Sequence, residues 1–360
     1  MYKKILIIIQ RSNGDVFLSI PLIERLHKEY PQSRIDMLIN HDTLATAKTL
    51  PYINDIHIYD YSWKRNPFPE KIKKEFSLIK KLLLSYDLTI NLTSSDRSVL
   101  YARLFGNKAI SCVEPDLRKS WWKRVILSKT FNHDINRHIV KHNIKPLEIL
   151  KLGIENPSLN IKPKIDAYKE LKKLSIDLEK PFVVFHPSAQ YEYKIYPKVL
   201  RDSLLKMLDT LDIQIAVTGG KSSIDKKISK ELPPLKNLHN LIGKTSLDGF
   251  IALCAKADAY IGMDTLNMHI AAALDKRIFA IFGPTLPQIW SPWCNSIHRG
   301  TSINTPIQTY GNITLFQADM PCVSCGKAGC DDRHGHSECL DAIEPDRVFK
   351  EVKRWLEKSV

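Results

Sequence analysis

Four stretches of this chain carry residue types that could do chemistry. In the first, Asp264 and Thr265 are followed four residues on by His269. Asp and Thr commonly open helices, and a helix start offers unpaired N–H groups and partial positive charge, which suits a phosphate or diphosphate. His269 can look onto the same space as Thr265; the plain alternative is a capped strand–helix unit. In the second, Asn13-Gly14-Asp15 places a carboxylate where a loop meets a helix, just beyond an apolar run. Such a group could serve as a general base or simply as a cap. The third is CVSCGKAGCDDRHGHSEC, holding Cys322, Cys325, Cys330 and Cys339. A C-x-x-C knuckle and four thiolates suit tetrahedral zinc or iron, with His334 and His336 as alternative ligands, against a plain reading of reduced thiols in a loop. The fourth is basic and aromatic: Arg118, Lys119, Trp121, Trp122, Lys123 and Arg124, with a smaller cluster of Trp63, Lys64 and Arg65. Indoles beside cations suit an anionic membrane surface or single-stranded nucleic acid, or one buried and one exposed Trp on an ordinary helix.

The elements that must position these residues alternate along the chain. Residues 4–9 form a continuous apolar run, the pattern of a buried parallel strand. A helix is expected over 16–30, a strand over 35–39, and this βαβ pattern implies a parallel sheet. Helices over 70–84 and 97–104 and strands over 87–92 and 109–112 continue the alternation, and residues 134–152 read as one long helix. Pro157 and Pro163 interrupt the pattern, placing the domain boundary near 160–180. A second apolar strand, 182–185, ends in His186-Pro187-Ser188, and another, 213–217, ends in Thr218-Gly219-Gly220. Residues 259–262, 266–274 and 278–282 read as strand, helix and strand, so Asp264 and Thr265 lie at the end of a strand. An amphipathic helix over 344–358 closes the chain, with Val348, Val352 and Leu356 aligned.

The ordered set of motifs resembles the lipopolysaccharide heptosyltransferases, glycosyltransferase family nine. NGDVFLSIPLIERLHKEYP is similar to that family's N-terminal G-D motif; Tyr193-Lys194-Ile195-Tyr196-Pro197 is similar to its K-x-W-P; Gly243-Lys244-Thr245-Ser246-Leu247 to its G-K-x-S-L; and D-T-x-x-x-H with a strand ending in Phe282-Gly283-Pro284-Thr285 to its nucleotide-sugar site. The family usually has Gly where this chain has Leu266. The resemblance implies the GT-B architecture: an α/β chain of two Rossmann-like domains facing a central cleft. The expected bounds are 1–165 for an acceptor-binding domain and 178–343 for a nucleotide-sugar-binding domain carrying the Cys-rich loop 320–340, with helix 344–358 packing back on the first. The implied activity is inverting transfer of heptose from ADP-heptose to a phosphorylated lipopolysaccharide inner core. Asp15 would be the base and Lys194 would stabilise the departing ADP. Ser188, Lys194, Gly219, Thr245, Asp264, Thr265, Leu266 and His269 would bind donor, and Lys64, Arg65, Arg118, Lys119, Lys123 and Arg124 would bind acceptor. No cofactor is required for the chemistry, and zinc or iron on Cys322, Cys325, Cys330 and Cys339 would be structural. The cysteine insert also suggests a protein (autotransporter) heptosyltransferase, since relatives of that kind carry an iron-bound one.

Composition agrees with a soluble globular protein: 360 residues, 44% hydrophobic and 26% charged, enough for two domains. The formal net charge of +14 points to an anionic partner, unless it is lysine spread over solvated faces. No apolar run approaches the length of a spanning helix. Residues 5–9 are too short for a signal-peptide core, and seven cysteines argue against a disulfide framework. The expected place is therefore the cytoplasm, peripheral on the inner face of the inner membrane. The rival from another class is a basic nucleic-acid-binding protein with a four-cysteine knuckle; the ordered motifs argue against it, and no nucleic-acid partner is expected.

Overall fold

The computed structural model describes residues 2–65 and 67–359. The chain divides into two compact units, Met1–Pro157 and Ser158–Val360. The division falls at Pro157, just before the expected window.

The first unit is one parallel sheet. Its strands are β1 (Lys4–Ile9), β2 (Arg34–Asn40), β3 (Asp55–Tyr59), β4 (Tyr86–Asn91), β5 (Gly106–Val113) and β6 (Lys129–Asn132), in the order β3-β2-β1-β4-β5-β6. Every pairing is parallel. β1 is buried from Ile5 onward because helices cover both faces of such a sheet. The chain reverses its direction of strand addition between β1 and β4, and ligands of open α/β sheets bind at that switch, beyond the carboxyl ends of the strands. Asp15 and Thr93 lie just beyond those strand ends, and the Gln10 N–H, following β1, donates to Thr93 Oγ1 at 2.9 Å.

Two expected helices are broken, and in both a proline is the reason. Residues 16–30 form Asn13–Phe17 and then Ile20–Glu29, since Pro21 has no N–H to donate back into the first segment. Residues 134–152 contain only Ile139–Asn143 and Lys145–Ile149, with Pro146 in the first turn of the second.

The second unit is a sheet of seven strands: β7 (Phe182–His186), β8 (Gln214–Val217), β9 (Leu238–Asn240), β10 (Ala259–Met263), β11 (Arg277–Ile281), β12 (Ile307–Tyr310) and β13 (Ile313–Phe316), in the order β12-β13-β11-β10-β7-β8-β9. Only β12–β13 is antiparallel. The switch point is between β7 and β10, whose ends meet with Gly262 opposite His186. The closing helix, Pro345–Ser359, departs from expectation. Its apolar face is spent on the second unit: Val348 and Val352 lie in one core cluster with Val183, Phe185 and Phe279. Trp355 meets the Phe279 ring edge-on at 5.9 Å.

Candidate active site

At the β7/β10 switch point, three strand ends bring the second unit's candidate residues together. β10 ends at Met263, so Asp264 projects from the next position and is 7% exposed. The chain after β7 runs through the single turn Glu192–Lys194, and the Lys194 ammonium meets Asp264 Oδ2 at 2.7 Å. Burial works against the ammonium, but the Asp264 carboxylate outweighs it and raises the lysine's pKa. Asp264 therefore does not cap the following helix. Thr265 occupies the cap position of Leu266–Ala273, yet its side chain makes no cap hydrogen bond. Among the described residues no side chain caps that helix start, an arrangement that suits an oxygen-rich ligand beside a lysine.

His186, at the end of β7, shares a hydrogen bond with Thr218 Oγ1 at 3.0 Å, and the Asn267 amide lies 3.0 Å from both ring nitrogens. Burial lowers its pKa to about 4, so the ring is neutral. His269 is also buried, and its pKa is likewise lowered to about 4. It stands under the helix start and its Nδ1 has no hydrogen-bond partner. Ser188 donates to Asp225 Oδ1 at 2.5 Å, and Asp225 in turn forms a capping box with Ser222 on helix Ser223–Glu231. A Cβ at Gly219 would lie 2.9 Å from Asp225 Oδ1, and one at Gly220 3.0 Å from Oδ2, so the glycine pair lets the carboxylate sit on the loop backbone. Burial works to raise the Asp225 pKa, but the hydrogen bonds from Ser188, Ser222 and Gly220 outweigh it and lower it. The Gly243 N–H donates to Gly219 O at 3.0 Å from a φ of +73°, which glycine adopts without strain. This stitches the β8 loop to the segment carrying half-buried Thr245. Ser246 caps helix Leu247–Lys256 by accepting from Gly249 N at 3.0 Å.

In the first unit, Asp15 is 3% exposed on helix Asn13–Phe17. Its Oδ2 accepts from Ser12 Oγ at 2.6 Å and Ser12 N at 3.2 Å, and Arg11 Nε lies 3.0 Å from Oδ1. The carboxylate is thus the third-position member of a capping box, held between a hydroxyl and a guanidinium at the sheet's switch point. Asn143 Nδ2 reaches Asp15 O at 3.5 Å and ties the turn to the helix below.

The model of "Glycosyltransferase family 9 (heptosyltransferase)" matches residues 75–311. The chain belongs to glycosyltransferase family 9. It is 31% identical over 300 residues to the lipopolysaccharide heptosyltransferase 3 of Escherichia coli K12, covering 80% of this chain and 84% of that one. It is 25% identical over 366 residues to the lipopolysaccharide heptosyltransferase 2 of the same strain, covering 98% of both. Among solved structures, E. coli ADP-heptose LPS heptosyltransferase II superposes with a TM-score of 0.72 at 20% identity, covering 99% of each chain. That likeness gives the fold: two Rossmann-like units, the GT-B class.

The glycosyltransferase's basic cluster lies on helix Leu117–Ile126 and divides by role. Arg118 and Lys119 are exposed, as expected. Lys123 is not: it is fully buried, with Nζ 2.6 Å from Asp96, 2.8 Å from Glu114 and 2.7 Å from Ser94 O. It holds this helix to the loop after β4 and is not free to meet an acceptor. Arg124 is likewise engaged within its unit, by Asn132 Oδ1 at 2.6 Å and Glu114 O at 3.4 Å. Trp122 packs partly into the core while Trp121 is 63% exposed. Leu117 at 64% and Val125 at 76% continue Trp121's stripe at the helical repeat. Lys64 and Arg65 lie on the turn Tyr61–Arg65, and their side chains lie outside the described residues.

In the Cys-rich loop of this glycosyltransferase, Cys322, Cys325 and Cys330 are exposed and Cys339 is buried. Burial pushes the Cys339 thiol up to about 12, and Cys330, Cys325 and Cys322 add to it. The Glu338 N–H donates to Cys330 Sγ at 3.4 Å. The two histidines serve elsewhere: His336 pairs with Asp341, and His334 stacks on Tyr191 at 5.0 Å. The Gly326 N–H donates to Pro284 O at 2.8 Å, so the loop covers the end of β11 and, through His334, reaches the turn that carries Lys194.

Sequence reasoning did not find Arg11, Asn267 or Asp225. Arg11 stands four residues before Asp15, a spacing at which ion pairs form, so its signal was legible. Asn267 and Asp225 act across strands and carried none.

Proposed function

We propose that this glycosyltransferase moves a heptose from ADP-heptose onto a lipopolysaccharide inner-core hydroxyl, with inversion at the anomeric carbon. The observation that carries the reading is the Lys194–Asp264 pair, 2.7 Å apart beside a helix start that no side chain caps. In the reaction the acceptor hydroxyl gives its proton to the Asp15 carboxylate, and its oxygen bonds to the anomeric carbon. The bond from that carbon to the diphosphate oxygen breaks, and ADP leaves with the electron pair. Lys194 and the N–H groups at the start of Leu266–Ala273 face the charge that develops on the diphosphate, as preorganised donors do. Asp264 fixes where the ammonium stands. The names of the similar heptosyltransferases support the donor and acceptor classes. Incubation with ADP-heptose and truncated core acceptors, read by mass spectrometry, tests the proposal. A product heavier by one heptose supports it, and hydrolysis or no reaction with every acceptor refutes it.

The exposed stripe Leu117, Trp121 and Val125, flanked by Arg118 and Lys119, supports docking on an anionic membrane face, with the apolar groups at headgroup depth and the cations on phosphates. This fits an acceptor that is itself a lipid and supports a peripheral enzyme on the cytoplasmic face of the inner membrane. The four loop thiols and the N–H bond to Cys330 Sγ suit a structural zinc or iron ion that closes the loop beside Lys194. Chelation should then lower thermal stability, and an unchanged melting temperature would count against the ion.

A further inference from the structure

Outside these sites, one cluster in the first unit combines three side chains that bind soft or borderline metals. The sheet register builds it. Cys112 of β5 pairs with Phe131 of β6, so the two side chains share a face. His133 is two residues beyond Phe131, on the same face, and its N–H donates to Val113 O at 2.8 Å. Helix Ile139–Asn143 then lays His142 over that face. Its ring stands edge-on to His133 at 5.0 Å, and Nε2 is 3.6 Å from Cys112 Sγ. One ligand atom from each of the three lies within 4.8 Å of the others, and among the described residues no other group of three or more such side chains gathers so closely.

Two observations point to a ligand. Cys112 and His142 are 0% and 1% exposed, and the Nδ1 atoms of His133 and His142 are both buried without a hydrogen-bond partner. Buried polar atoms left unmade are costly, and two in one cluster call for an explanation. His133 and His142 also line a cavity of about 530 Å³, together with Asn132, Asp134, Arg137 and Lys145. We propose that Cys112, His133 and His142 bind a divalent transition metal, zinc or its cobalt substitute, with a fourth position facing that cavity.

The chemistry is consistent. Burial keeps both imidazoles neutral, the form that ligates, with His142 lowered to about 4. The Cys112 thiol, pushed up to about 12 by burial, gives up its proton to solvent when it takes the ion. Arg11, Lys123 and Arg137 oppose a cation here, whereas the thiolate, Asp15, Glu114 and Asp134 favour one. The alternative is a plain S–H to imidazole hydrogen bond with two orphaned nitrogens.

The test uses the full chain with Cys322→Ser, Cys325→Ser, Cys330→Ser and Cys339→Ser, so that no loop thiol can answer for the cluster. Titration with cobalt should show about one equivalent bound with a thiolate-to-cobalt charge-transfer band. Cys112→Ser should remove the band, and His133→Gln, on a part-exposed ring, should weaken cobalt binding at least about tenfold while the circular dichroism stays native. Retention of the band in Cys112→Ser, or no cobalt bound by the folded parent, overturns the proposal. X-ray absorption of the zinc-loaded protein gives a second reading: a shell of one sulfur and two imidazoles supports it, and a shell of oxygen only refutes it. This site stands independently of the sugar-transfer reading.

Discussion

Lys194→Met tests whether the lysine acts on the leaving group or merely anchors its turn. The pair is 2.7 Å long, with the Asp264 side chain 7% and the Lys194 side chain 25% exposed. At that separation the gross attraction is about 6 kcal/mol with an effective dielectric constant of about 20. Desolvation and screening at the exposed edge of the lysine reduce the net value to about 2 kcal/mol. Removing the ammonium alone leaves a buried carboxylate without its partner, which costs about 3 kcal/mol, or a fall of roughly 10 °C in the melting temperature. Adding Asp264→Asn removes the second charge and should restore most of that loss, because no ion then remains buried. Turnover should behave differently. A preorganised donor facing a developing oxyanion contributes about 10²–10³-fold, so Lys194→Met should lose that factor and the double variant should not regain it. The assay pairs thermal melts with initial rates of heptose transfer in single and double variants. Recovery of turnover along with the melting temperature would refute the leaving-group role and leave Lys194 as an anchor.

Asp15→Asn keeps an oxygen for Ser12 but removes the base, so stability should change by about 1 kcal/mol or less while turnover falls about 10²–10⁴-fold. ADP affinity by calorimetry should be unchanged, and near-normal turnover would rule the base out. Trp121→Ala with Leu117→Ser should weaken binding to vesicles containing phosphatidylglycerol and leave ADP binding intact; wild-type binding that ignores salt between about 0.05 and 0.5 M would count against membrane docking. His186 and His269 have folded pKa values of about 4, below the ordinary 6.5. The unfolded chain therefore takes up protons first as the pH falls. Stability is fully present above about 6.5 and lost between there and 4, on the order of 2–3 kcal/mol for each ring. Urea melts at pH 7.5, 6 and 5 should show this loss, and a flat profile would show that the rings are protonated in place.

The sequence by itself determined the class of the protein. Continuous apolar runs such as residues 5–9 and 278–282 can be satisfied only inside a parallel sheet covered on both faces, so the α/β alternation was legible from local chemistry. The strand-end positions of Asp15, Ser188, Gly219 and Asp264 were legible for the same reason: each follows such a run and opens a loop. What local pattern could not give was the use each side chain makes of its neighbours. Asp264 read as a cap, but Lys194, distant in sequence, claims it across the sheet. Lys123 read as a surface cation, but Asp96 and Glu114 draw it into the first unit. The closing helix read as a crossover, but its Val348–Val352 face fits the second unit's core. The closing of Cys112, His133 and His142 around one point depends on strand register and on the break at Pro146, and periodicity carries neither. Local sequence fixes backbone propensity and which face is apolar; pairing of charges and ligands depends on distances that only the packed sheet brings within a few ångströms.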